Sequence, residues 1–129
     1  MKRVFLAVLI LGLVGLSVAA FAMDKPTLST PKDGDVLGPN YDVLGSMPYK
    51  AFLVVMTDCV RADTGEVLRS VPGIRHWTEK NGSFHFRCAS PRVSIGEKGM
   101  PLVYRVRVFE MDKDGNNGPE AIVTCRMAE

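Results

Sequence analysis

Apolar positions along the chain form one long continuous run, followed by short runs with a two-residue period. The continuous run is Val4 to Val18, interrupted only by Gly and Ser. Lys2 and Arg3 precede it and Ala20-Phe21-Ala22 follows. A basic head, an apolar middle and a small-x-small end are the parts of a cleaved export signal. The sequence therefore predicts a signal peptide over residues 1–22 and a working domain over residues 23–129.

Beyond the leader the pattern is that of strands. Met23 to Pro31 is a short Pro-containing leading segment, and Asp33-Gly34 and Gly38-Pro39-Asn40 are turn chemistry. Tyr41 to Ser46 is a predicted strand, and Lys50 to Ala62, rich in β-branched residues, is the longest one. Asp63-Thr64-Gly65 turns it into Glu66 to Val71, and Pro72-Gly73 then breaks the chain. Ile74 to Lys80 and Ser83 to Cys88 flank Asn81-Gly82, a strong two-residue hairpin signal. In that hairpin Trp77 faces Phe86, so Trp77, Phe84, Phe86 and Cys88 form a buried face. His76, Thr78, His85 and Arg87 form the other. Leu102 to Met111 sets Leu102, Tyr104, Val106 and Val108 against Val103, Arg105, Arg107 and Phe109, the wetter side. Ala121 to Met127 closes the series. With no amphipathic helix and about seven short strands, the expected fold is an all-β antiparallel sandwich.

Charge alters this picture only through the leader. Of 16 basic residues two lie in the leader, leaving 14 against 14 acidic ones and a working domain of zero net charge. That balance implies neither nucleic acid nor an anionic membrane as partner. Removing 22 of 129 residues leaves 107, enough for one core. The basic excess between Lys50 and Arg107 is expected to be a solvated face neutralised by the other segments on folding. All three cysteines, Cys59, Cys88 and Cys125, lie in the working domain, and export makes a disulfide permissible. None stands at the cleavage site, so the expected product is soluble, secreted or periplasmic, without a lipid anchor.

Tyr104-Arg105-Val106-Arg107-Val108 and the turn from Asp112 to Glu120 resemble the sixth strand and following turn of fibronectin type III modules. Pro31 to Val36 and Tyr41 to Ser46 resemble the N-terminal strands of bacterial immunoglobulin-like domains, including the spore-germination-associated type. The early-strand tryptophan of the fibronectin modules has no match between Tyr41 and Ser46. The resemblance implies an immunoglobulin-like sandwich that binds or spaces, with no catalytic residues to transfer. In such a sandwich the three sulfurs come toward one end and Cys59–Cys88 is the favoured disulfide, other pairings or none remaining open.

Candidate chemistry is sparse. Asp112-x-Asp114-x-Asn116 alternates oxygen ligands, but Asn117 and Val123 stand where a calcium loop needs Gly and Glu, so a plain turn is expected. His76 and His85 share a face without a third ligand. Arg105, Arg107 and Phe109, with His76, His85 and Arg87, are the candidate binding residues. Trp77, the single tryptophan, is expected in the core, with a sugar platform as the alternative. There is no nucleophile elbow, HExxH, phosphate loop or CxxC, and no cofactor is expected. The expected role is a non-catalytic module for protein interaction or adhesion at the cell envelope. The alternatives are carbohydrate binding, or a small secreted inhibitor or accessory subunit of an envelope enzyme.

Overall fold

The computed structural model describes residues 22–93 and 99–128. The leader expected over residues 1–22 therefore lies, apart from Ala22, outside the described residues. Nine strands follow: β1 (Thr27–Thr30), β2 (Val36–Leu37), β3 (Asn40–Ser46), β4 (Phe52–Arg61), β5 (Val67–Val71), β6 (Arg75–Trp77), β7 (Ser83–Ala89), β8 (Leu102–Glu110) and β9 (Ala121–Met127).

They form two sheets. One has the order β1-β3-β7; the other has the order β2-β9-β8-β4-β5, with β6 also pairing β4. Among the described residues nine strands stand where about seven were expected, because the segment before Tyr41 supplies two, β1 and β2; two stretches of the chain are interrupted at prolines. The first is broken at Pro31, β1 joining the small sheet and β2 running parallel to β9 in the large one. The second is broken at Pro72-Gly73, and β5 and β6 pair successive stretches of β4. Proline has no N–H to give a ladder, which is why both breaks fall there. A three-stranded sheet facing one centred on β4 and β8 is the immunoglobulin-like arrangement.

Alternation builds the core. Tyr41, Val43, Phe84, Phe86 and Cys88 face inward from the small sheet; Leu53, Val55, Cys59, Tyr104, Val106, Val108 and Cys125 meet them from the large one. Fully burying a Leu or Val side chain contributes about 1.5–3 kcal/mol, and Leu53, Val43, Val55, Val106 and Val108 are all fully buried. Tyr104, near the start of β8, donates its hydroxyl to the Pro91 carbonyl at 2.9 Å, tying the chain that leaves β7 to β8.

The Asn81-Gly82 hairpin is corrected. A turn forms here, but one residue wider than Asn81-Gly82 and closed by Glu79 against Ser83, since Gly82 N donates to the Glu79 carbonyl and Glu79 N to the Ser83 carbonyl, both at 2.9 Å. Pairing stops after that rung. β6 lies on β4, with Trp77 opposite Phe52 and Arg75 opposite Val54, while β7 lies on β3 in the other sheet. Buried Thr78 fixes the divergence, donating its N–H to the Ala51 carbonyl at 2.9 Å and accepting the Ala51 N–H at 3.0 Å. The chain thus crosses between sheets at residues 78–82. Gly82 sits at φ 92° at this crossing, where a Cβ would lie 1.9 Å from the Met47 carbonyl oxygen.

Candidate functional site

The candidate residues fall in separate places. On β4 the inward positions are Leu53, Val55 and Cys59, so Phe52, Val54, Met56 and Asp58 project from the outer face of the large sheet. Asp58 is opposite Arg105 in the β4–β8 register and has no exposed side-chain surface. Arg105 Nε donates to Asp58 Oδ2 at 2.9 Å, and Arg107 donates Nε to Oδ2 at 2.8 Å and a terminal N–H to Oδ1 at 3.1 Å. Ser70 Oγ donates to Oδ1 at 2.6 Å, and Arg107 reaches on to Glu120 Oε2 at 3.0 Å. Burial raises the Asp58 carboxyl, but the bonds from Ser70, Arg107 and Arg105 outweigh it and hold the group below the usual carboxylate range. Phe109, opposite Val54 on the same face, is 7% exposed. The Arg105–Arg107–Phe109 stripe is therefore an internally neutralised ion network with a buried ring at its end.

Asp58 was not singled out from sequence. Its signal was there: one carboxylate with outward parity in the most apolar strand, facing an Arg-x-Arg strand.

His76, His85 and Arg87 do come together, apart from the arginine stripe. They line a groove of about 280 Å³ between the edges of β6 and β7, with Ile74, Phe84 and Phe86 behind them. His85 Nε2 and Arg87 each contact one Asp42 oxygen at 3.1 Å. The His85 bond first, and Arg87 with it, hold the Asp42 carboxyl below its usual range. The six candidate binding residues thus form two sites, one on the outer face of the large sheet and one spanning the edges of both sheets, not one face.

Trp77 is corrected more sharply: it is 54% exposed. Pairing with β4 puts it outward beside Phe52, whose ring meets the indole edge-on at 5.5 Å and 67°. Lys50 Nζ lies 5.4 Å from the indole centroid. These side chains border a groove of about 900 Å³ at one end of the sandwich, completed by Tyr49, Glu110, Met111 and the turn from Asp112 to Asn116. Tyr49 donates its hydroxyl to Glu110 Oε1 at 2.6 Å on the groove wall. Within the turn, Asp112 Oδ1 accepts the N–H groups of Asp114 at 2.9 Å and Asn116 at 2.8 Å, and Oδ2 accepts the Asn116 amide at 3.1 Å. Both carboxylate oxygens are engaged within the loop, by two backbone N–H groups and the Asn116 side-chain amide.

The expected Cys59–Cys88 disulfide is not formed, and all three cysteines are buried thiols. Cys59, Tyr104 and Cys125 lie in one row across β4, β8 and β9. Two strand spacings, about 9–10 Å, separate the cysteines of that row, beyond the roughly 7 Å a disulfide spans. Cys88 stands on the opposing sheet beside Tyr41, whose hydroxyl is hydrogen-bonded to Thr57. Burial pushes the Cys88 and Cys125 thiols up to about 11, leaving them protonated and unreactive at neutral pH. Among the described residues no group of three or more His, Cys, Asp or Glu is placed to hold a metal.

The chain matches no family model and no curated protein sequence. Among solved structures it is similar to the fibronectin(III)-like modules of Clostridium thermocellum CbhA, at 14% identity and a TM-score of 0.44, over 81% of this chain and 99% of that one.

Proposed function

We propose that this domain is a non-catalytic, exported immunoglobulin-like module that binds a protein partner at the cell envelope through the Trp77 groove. The observation that supports this reading is the position of Trp77, more than half exposed at the rim of a groove of about 900 Å³. An exposed tryptophan backed by Phe52 and bordered by Tyr49 and Met111 has the composition of an interface hot spot. Glycan binding is the second reading, favoured by the same indole as a stacking platform. Against it stands Lys50, whose ammonium lies over the ring and must leave before a sugar can stack on that face.

The two readings separate with residues 23–129 as bait on an envelope fraction, beside Trp77→Ala, and with a glycan series titrated against Trp77 fluorescence. The expected result is a protein retained by the native domain and lost by a correctly folded Trp77→Ala variant, with emission unmoved by sugars. A saturable emission change with one glycan overturns the protein reading in favour of the second. Equal retention by both baits overturns the groove assignment.

A further inference from the structure

The hydrogen-bond parity of β7 leaves part of its backbone turned away from the sheet. Met47 N donates to the Gly82 carbonyl at 2.8 Å and Ser90 N to the Pro39 carbonyl at 2.9 Å, on the same antiparallel register as the pairs between β3 and β7. Hydrogen-bonded pairs alternate along an antiparallel ladder. Phe84, Phe86 and Cys88 therefore direct their N–H and C=O groups to β3; Ser83, His85, Arg87 and Ala89 direct theirs outward. Ser83 is satisfied, its N–H by Asn81 Oδ1 at 3.0 Å and its carbonyl by Glu79 N. Among the described residues no strand pairs with the outer edge of β7. Two of the usual protections of an edge, proline and a bulge, are missing from it: β7 runs seven residues without proline, and its register with β3 has no bulge.

Side chains around this edge define what could add to it. A further strand would turn alternate residues into the groove of about 280 Å³, where Ile74, Phe84 and Phe86 are the part of a mixed lining that suits apolar side chains. Its other residues would lie outside, next to His85 and Arg87. Arg87 is 65% exposed and uses one terminal nitrogen on Asp42, which lies on the β3 side. Its remaining N–H groups are available to a carboxylate on the open side, continuing a ladder of alternating charge. Among the described residues Glu79 is the one acidic residue lining the groove, beside Arg87 and two histidines. A second copy of this chain fits poorly, because antiparallel pairing of two β7 edges brings Arg87 and His85 of one copy against those of the other.

We propose that the β7 edge receives, by strand addition, an extended segment of a partner protein in which apolar and acidic residues alternate. This surface shares only Trp77 with the groove of the proposed function, so either assignment can fail without the other.

The probe is a synthetic capped octapeptide of alternating valine and aspartate, with a valine–lysine octapeptide as control. Binding is followed on the domain by amide NMR and hydrogen exchange. The expected result is slowed exchange of the His85 and Arg87 amides, with affinity about tenfold higher than for the lysine peptide. His85→Pro removes an outward N–H while sparing every β3 rung, and Arg87→Glu reverses the facing charge. Each should weaken the acidic peptide about fivefold or more, the loss expected for one bond of this kind. No protection by the acidic peptide, equal affinity for the lysine peptide, or undiminished binding by both variants overturns the proposal. Protection that grows with protein concentration alone, with a dimer in sedimentation, overturns it in favour of self-pairing.

Discussion

Exchanging the Asp58 carboxylate for an amide isolates what its charge contributes to the large sheet. Asp58→Asn keeps the volume and one acceptor but turns the other oxygen into a donor facing guanidinium N–H groups. Three bonds from Arg105 and Arg107, at 2.8–3.1 Å, lose their ionic partner. Removing one member of a fully buried pair costs about 3–5 kcal/mol. Here the arginines are 33% and 23% exposed, so water screens part of that, and the expected loss is about 2–3 kcal/mol. For a domain of this size the fall in Tm is roughly 10–15 °C. Urea unfolding followed by far-UV circular dichroism measures the difference, at pH 7 and again at pH 3. The folded-state pKa of Asp58 lies below its unfolded value, so its contribution is complete above the unfolded value. It is lost as pH falls through the folded one, and the amide variant has no such contribution to lose. The gap between native and variant proteins should therefore narrow in acid. A loss under about 0.5 kcal/mol at pH 7, the usual range of a surface substitution, refutes the assignment, as does a gap that widens in acid.

Other outcomes follow from the core and turns. Tyr104→Phe leaves the Pro91 carbonyl without its donor and should cost about 1–3 kcal/mol in the same unfolding assay. Gly82→Ala combines a positive φ with a 1.9 Å approach to Met47 and should cost about 3 kcal/mol or more; Gly115→Ala, at φ 84° in open space, should cost only about 1 kcal/mol. Cys88 and Cys125 should resist alkylation in the native domain and react in denaturant, read by intact mass. Both thiols are raised from 9.0 to about 11, so their stabilisation is full below pH 9 and should decline as pH rises toward 11.

Local alternation made much of the sandwich legible. The inward and outward sets of β8 and β9 follow the two-residue period, as does the burial of Phe84, Phe86 and Cys88 on β7. Partner choice did not follow, because it is decided by residues far apart in sequence. Asn81-Gly82 specifies only a local turn, whereas β4 offers β6 a free edge and Ala51 two bonds to Thr78. That non-local preference placed Trp77 outside and separated His76 from the strand carrying His85. Asp58 was hidden for a related reason: a charged residue inside an apolar run is interpretable only once the strand opposite it is known to carry Arg105 and Arg107.

The split first strand also sets how the domain bears load. β2 runs parallel to β9, held by Gly34 N to the Thr124 carbonyl, Arg126 N to the Asp35 carbonyl and Ala128 N to the Leu37 carbonyl. Parallel strands direct the incoming and outgoing chain to opposite ends of the sandwich. Tension applied between those ends shears these rungs together instead of unzipping them one at a time. The patch is then a mechanical clasp, and its rupture, ahead of any loss of the core, would set the force at which the domain yields.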